Sequence, residues 1–283
     1  MTNVLAPTAP EAGVVRLYTE DWGGDGPTVV LIHGWPLSGA AWEKQIRPLH
    51  DAGFRVVTYD RRGFGQSDRP EEGFDYDTLA ADLHRLIVKK DLRDVTLVGF
   101  SMGGGEVARY VANHGEDRLR AVVFAAAVPP YLMRTADNPD GPLAPAAAGE
   151  MEAGLAADRE AFFQDFTRTF FSANGRLEVS EDEREDAMAL CRLSDQKAAL
   201  GCMKAFGATD FRDDLRRITV PTLVIHGDAD AIVPLEGSGA LTHAAIPGSE
   251  LVVLEAAPHG CNVSHARAFN GALIRFLNSL RTR

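Results

Sequence analysis

The chain has 283 residues, 45% of them hydrophobic, and a formal net charge of −11. That length supports one large core with an inserted subdomain. No apolar stretch approaches the roughly 20 residues that a membrane-spanning helix needs. An acidic chain without a basic tail or stripe neither displaces counterions from nucleic acid nor is drawn to an anionic membrane, and Arg61-Arg62 is too short to change that.

Residues 1–13 lack the basic start and apolar centre of a signal peptide. They read as a short disordered lead, and a cytoplasmic protein is expected. Residues 14–22 (VVRLYTEDW) alternate imperfectly, as an edge strand does. Continuous apolar runs follow at 27–33 (PTVVLIH), 54–60 (FRVVTYD), 95–100 (VTLVGF) and 119–128. Such runs suit strands covered on both faces, as in a parallel sheet. Between them, 77–90 is patterned as a helix, with Leu79, Leu83, Leu86 and Ile87 on one face and Asp82, Arg85 and Lys89 on another. Strand–helix alternation predicts a doubly wound, mostly parallel α/β fold.

The rhythm breaks at Pro129-Pro130. From 131 to 217 no strand-like run occurs; a Pro/Gly/Ala stretch at 138–149 precedes helical patterns around 158–171, 180–193 and 195–206. Strand signals return at 219–226 and 250–254. A final amphipathic helix spans 262–280, with Phe269, Leu273, Phe276, Leu277 and Leu280 at helical spacing. The expected division is an α/β core of residues 14–130 and 218–283, interrupted after about six strands by a helical lid of residues 131–217.

Chemistry concentrates in Gly99-Phe100-Ser101-Met102-Gly103, a G-x-S-x-G sequence placed after a strand and before a helix. In that context a serine sits on a strained turn with its hydroxyl exposed. Side chains at the two glycines would collide across so tight a turn. A serine hydroxyl needs a base and a group that orients the base. His259 is the histidine on a loop after the last strand signal. Gly227-Asp228-Ala229-Asp230 follows the preceding strand and offers two carboxylates. The order Ser, Asp, His is the one this fold class uses. Ser101, the 228–230 turn, His259 and the loop after His33 all fall at strand carboxyl ends, where α/β sheets bind ligands.

An acyl-transfer site also needs N–H donors for a developing oxyanion. Met102 N–H follows the nucleophile at a helix N-terminus, and the loop His33-Gly34-Trp35-Pro36 makes Trp35 N–H the second candidate. Spacing alone leaves Asp228 and Asp230 both open as the orienting acid. Cys261, two residues after His259, is a conceivable thiol nucleophile, but a loop entering a helix is an ordinary place for a buried cysteine. Cys191, Cys202 and Cys261 form no C-x-x-C pair and make an odd total, so no disulfide framework is expected. H-E-x-x-H, G-x-G-x-x-G after a strand and C-x-x-C-H are missing from the sequence, so no metal and no cofactor are expected. His33 is expected to support its loop by a backbone hydrogen bond.

The segments His33-Gly34-Trp35-Pro36, Asp60-Arg61-Arg62-Gly63-Phe64-Gly65-Gln66-Ser67, Gly99-Phe100-Ser101-Met102-Gly103-Gly104, His226-Gly227-Asp228-Ala229-Asp230 and Ala257-Pro258-His259-Gly260 occur in this order. With them the chain resembles the α/β-hydrolase superfamily, specifically its cofactor-free haloperoxidase, arylesterase and perhydrolase branch. The resemblance extends over residues 14–280. It implies a Ser101–His259–Asp230 triad, an oxyanion hole of the Trp35 and Met102 amides, and an aromatic pocket from the lid, here Phe166, Phe170 and Phe206, joined by Ile232 after the acid loop. Asp228 is then left with Asx-type turn bonding.

Relatives that dehalogenate or open epoxides carry aspartate in place of Ser101, so those reactions are disfavoured. The expected activity is hydrolysis of small carboxylic esters through an acyl-enzyme, with peracid formation when hydrogen peroxide replaces water. Lactones and γ-lactams fit the same site, and the rival readings are a C–C hydrolase, a cofactor-free oxygenase or a non-turnover small-molecule receptor. The expected partner is a small ester; nothing in the sequence speaks against a homo-oligomer.

Overall fold

The structure, a computed structural model, describes residues 14–282. The lead expected at 1–13 lies outside the described residues.

Among the described residues nine strands occur in chain order: β1 Thr19–Asp21, β2 Thr28–Ile32, β3 Arg55–Tyr59, β4 Val95–Phe100, β5 Leu119–Ala125, β6 Ser172–Ala173, β7 Arg176–Leu177, β8 Thr222–Gly227 and β9 Glu250–Leu254. Seven form one sheet in the order β1-β3-β2-β4-β5-β8-β9. Only the edge strand β1 is antiparallel to its neighbour; β2, β3, β4, β5, β8 and β9 pair in parallel. Every residue of β2, β4 and β8 is buried. Their unbroken apolar runs are what a sheet covered on both faces requires.

The helices are α1 Glu43–Asp51, α2 Tyr76–Lys89, α3 Met102–His114, α4 Pro145–Ala157, α5 Arg159–Phe170, α6 Glu181–Arg192, α7 Gln196–Ala208, α8 Arg212–Leu215, α9 Gly239–Ala245, α10 Cys261–Ser264 and α11 Ala266–Ser279. Asp75 caps α2 by accepting from Thr78 N, and its Leu79, Leu83, Leu86 and Ile87 are buried as the pattern requires. Asp82 departs from that pattern. It is buried, because its carboxylate takes the Arg62 guanidinium at 2.5 and 2.8 Å. Arg61 is likewise buried against Glu106, so neither arginine is a surface cation.

Between β5 and β8 the chain contributes nothing to the main sheet. The excursion begins after the fifth strand rather than the sixth. Its helix α4 starts inside the stretch read as Pro/Gly/Ala-rich, because Pro145 stands at the first helical position and an alanine run follows. A capping box, Ser180 with Glu183, opens α6. The hairpin β6–β7 contradicts the expectation of no strand here; two-residue strands turning at Asn174-Gly175 leave no run to read. The C-terminal helical segment is broken at His265 into α10 and α11. No helix among the described residues is long and apolar enough to cross a membrane.

Candidate active site

Four strand ends build the site. β2 ends at Ile32 and leads into His33-Gly34-Trp35; β4 ends at Phe100 and leads into Ser101; β8 ends at Gly227 and leads into Asp228–Asp230; β9 ends at Leu254 and leads toward His259. Because these strands are parallel and in register, Ile32 stands beside Gly99 and Gly227 beside Leu254. Their exits therefore share one sheet edge.

Ser101 has φ 55° and ψ −119°, a conformation that costs a side-chain-bearing residue about 1–3 kcal/mol. Its N–H donates to Ala125 O, and its carbonyl accepts from Gly104 and Val128. A Cβ on Gly99 would overlap the Gly103 carbonyl, and one on Gly103 would press on the Ile32 carbonyl. The glycines thus let strand, elbow and helix converge without a side chain between them.

Ser101 Oγ lies 2.9 Å from His259 Nε2, and His259 Nδ1 lies 2.7 Å from Asp230 Oδ2. A carboxylate can only accept, so Nδ1 carries the hydrogen and Nε2 is free to accept from the serine hydroxyl. All three residues are buried. Burial raises the Asp230 pKa, but the neighbouring His259 and hydrogen bonds from His226 and His259 outweigh it and hold the carboxyl well below the usual range. Its other oxygen accepts from Ile232 N and Val233 N at 2.9 and 2.8 Å. The Asx-type bonding expected of Asp228 therefore belongs to Asp230. Asp228 is exposed and instead accepts from Ala256 N at 2.7 Å, joining the two loops.

Neither the Trp35 nor the Met102 amide donates to a protein acceptor among the described residues. Gly34 packs so closely on Ser101 Cβ that a side chain there would crowd it. The Trp35–Pro36 peptide is cis, as is Pro129–Pro130.

Before the serine lies a cavity of about 270 Å³. Of the residues read as an aromatic pocket, Phe166 and Phe206 line it together with Ile232; Leu132, Leu143 and Met151 line it too and were not anticipated. Phe170 is a correction. Its buried ring stands edge-on to His259 at 5.0 Å and beside Phe100 at 5.9 Å, so it packs behind the imidazole rather than facing the cavity. Cys261 is fully buried, and burial together with the Asp230 charge pushes its thiol pKa up, which does not suit a nucleophile. His33 accepts from Arg61 N at Nε2, which leaves Nδ1 to donate to Gly34 O at 2.8 Å, the backbone bond expected of it. Among the described residues no group of three or more His, Cys, Asp and Glu side chains is arranged to hold a metal ion.

A family model described as the alpha/beta hydrolase fold matches residues 27–266. The chain belongs to the α/β-hydrolase family. A non-heme chloroperoxidase of Kitasatospora aureofaciens is 41% identical over 93% of this chain and 96% of its own. A bifunctional esterase/perhydrolase of Acinetobacter calcoaceticus is 34% identical over 94% of this chain and 97% of its own. The crystal structure of a bromoperoxidase from Bacillus anthracis superposes with a TM-score of 0.92 at 52% identity, covering 93% of this chain and 96% of that one. Within the α/β hydrolases the chain thus falls in the non-haem haloperoxidase and esterase/perhydrolase branch.

A further residue of this α/β hydrolase escaped the sequence argument. His226, buried at the end of β8, places Nε2 at 2.8 Å from Val233 O and 3.3 Å from Asp230 Oδ2. Asp230 thus faces two imidazoles. A Cβ on Gly239 would collide with the His226 ring, so the glycine leaves the imidazole its room. The one available signal was a histidine at a strand end four residues before the acid.

Proposed function

We propose that the protein is a serine hydrolase of small, neutral carboxylic esters, working through an acyl-enzyme. The hydrogen-bonded chain Ser101–His259–Asp230 carries this reading. Ser101 Oγ attacks the ester carbonyl while His259 Nε2 takes its proton, and Asp230 holds the imidazole in that tautomer and stabilises its charge. The Trp35 and Met102 amides donate to the tetrahedral oxyanion. His259 then protonates the departing alcohol, and water, deprotonated by the same nitrogen, releases the acid.

The cavity supports the substrate class. Apolar side chains surround Ser101, and among the described residues no charged one lines it. A charged acyl group would lose its hydration there without a partner. We read the helices between β5 and β8 as the lid that closes this cavity.

If hydrogen peroxide replaces water at the acyl-enzyme, the product is a peracid, which oxidises halide away from the site. The names of the chloroperoxidase and esterase/perhydrolase relatives support this second use of the same acyl-enzyme.

A fluorophosphonate should label Ser101, and Ser101→Ala should lose both labelling and turnover of p-nitrophenyl acetate. Bromination of monochlorodimedone should need peroxide, a carboxylic acid and the intact serine together. Ester turnover retained by Ser101→Ala overturns the acyl-enzyme.

A further inference from the structure

A second cavity of about 250 Å³ lies against the first, and Leu143, Met151 and Phe206 line both. Its remaining wall comes from Met133, from Ala148 and Glu152 on α4, and from Met203, Lys204, Gly207 and Ala208 on α7. Apart from the rim pair Lys204–Glu152, with nitrogen and oxygen 3.3 Å apart, this wall is apolar. The lysine side chain is 66% exposed, which places the charges at the open end.

Ligand pockets commonly hold roughly 300–1,000 Å³. The first cavity alone falls just short of that range, and the two together lie within it. The partition between them is made of flexible or rotatable apolar side chains. Methionine is the most adaptable of these, and Met151 belongs to both walls.

We infer that the second cavity receives the distal end of an extended, unbranched hydrocarbon chain on the substrate, whose ester carbonyl sits at Ser101. The inference rests on the hydrolase reading above. It assigns a ligand class that the first cavity does not: medium-chain aliphatic esters in addition to the shortest ones. The chain crosses the Met151–Phe206 partition and stops at the Lys204–Glu152 rim, where further methylenes meet charge and water.

The test compares p-nitrophenyl acetate with p-nitrophenyl decanoate. Ala148→Phe and Ala208→Phe each fill the second cavity from its rim, from opposite helices, without touching the first. Each should lower kcat/KM for the decanoate about tenfold, the worth of roughly two buried methylenes, and leave the acetate within about twofold. Met151→Ala should raise the decanoate-to-acetate ratio about fivefold by opening the partition. A filling variant that slows both esters alike would make the second cavity a common entrance, and one that changes neither would make it idle; either overturns the inference.

A binding measurement separates this proposal from the hydrolase reading. Decanol titrated calorimetrically into the wild-type chain and the two filled variants should bind about tenfold more weakly to the variants. Equal binding refutes the tail site even if esters are hydrolysed. Weakened binding with no ester turnover keeps the tail site and refutes the hydrolase.

Discussion

The indole Nε1 of Trp35 donates to the carbonyl oxygen of Ala199 at 2.9 Å. The residue whose amide we propose as an oxyanion donor thus fastens its side chain to α7. The indole also stands edge-on to Phe162, Phe163, Phe166 and Phe206, all from the helices between β5 and β8. Trp35→Phe keeps a ring but removes the donor. It should cost about 0.5–1.5 kcal/mol in urea unfolding, the net worth of one hydrogen bond, since Ala199 O keeps its place in the ladder of α7. It should also lower kcat roughly tenfold, less than the 10²–10³ lost with a whole oxyanion donor. A stability loss with unchanged kcat would reduce the bond to scaffolding.

Asp230→Asn should lower kcat on the order of 10⁴, by analogy with the serine-protease template. Asp228→Asn should stay within about twofold, since its carboxylate touches only Ala256 N among the described residues. Equal losses would refute the assignment of Asp230.

The same carboxylate makes acid stability predictable. Its folded pKa is held below the ordinary value of about 4, so its contribution is complete above that value and fades as pH falls through the folded one. Urea unfolding at pH 7 should show Asp230→Asn weaker than wild type by about 1.5–3 kcal/mol, the worth of hydrogen bonds to a charge. The gap should narrow steadily below about pH 4. A gap independent of pH would mean that the carboxylate charge does not stabilise the fold.

Ser101→Gly should abolish turnover yet stabilise the protein. Relief of the left-handed backbone gains about 1–3 kcal/mol, offset by roughly 0.5–1 from the greater freedom of unfolded glycine. A Tm rise of about 2–4 °C is expected in a calorimetric scan. A fall would show that the elbow is not strained.

Thiol reagents should leave the folded enzyme active. Burial pushes Cys191 and Cys202 up to about 12, and Cys261 is raised as well. Cys261→Ala should keep kcat/KM for p-nitrophenyl acetate within about threefold; loss of turnover comparable to Ser101→Ala would reopen thiol chemistry.

Beneath the elbow, Glu106 accepts from Tyr59 and from the Arg61 guanidinium, each at 2.6 Å. Both charges of the ion pair are buried. Glu106→Gln should cost about 3–5 kcal/mol in urea unfolding, because the arginine charge is left without compensation. A cost under about 1 kcal/mol would mean that water reaches the arginine.

What could be read beforehand depended on how local the physics is. The elbow announces itself because glycines at 99 and 103 are steric requirements of one turn. The sheet announces itself because β2, β4 and β8 bury every residue. Choosing Asp230 over Asp228 needed a resemblance, since burial and the reach to His259 are set by how two loops meet in space. The pocket was half legible. Phe166 and Phe170 lie four residues apart on α5, yet one faces the cavity and the other the histidine, a difference fixed by how the helix sits on the sheet. Met151 was invisible because an alanine-rich helix carries little periodic contrast, and His226 because a histidine ending a buried strand resembles any other.

The ring of Phe170 has a consequence for how turnover must proceed. With that ring on one side, Phe100 beside it and Asp230 holding Nδ1, the imidazole of His259 is packed and hydrogen-bonded in place. In the acyl-enzyme cycle proposed above, a proton collected from Ser101 is then handed on from the place where it was received. The traffic then falls to the small molecules: the departing alcohol has to leave from under Nε2 before water or peroxide can stand there, so one parking place serves both halves of the cycle.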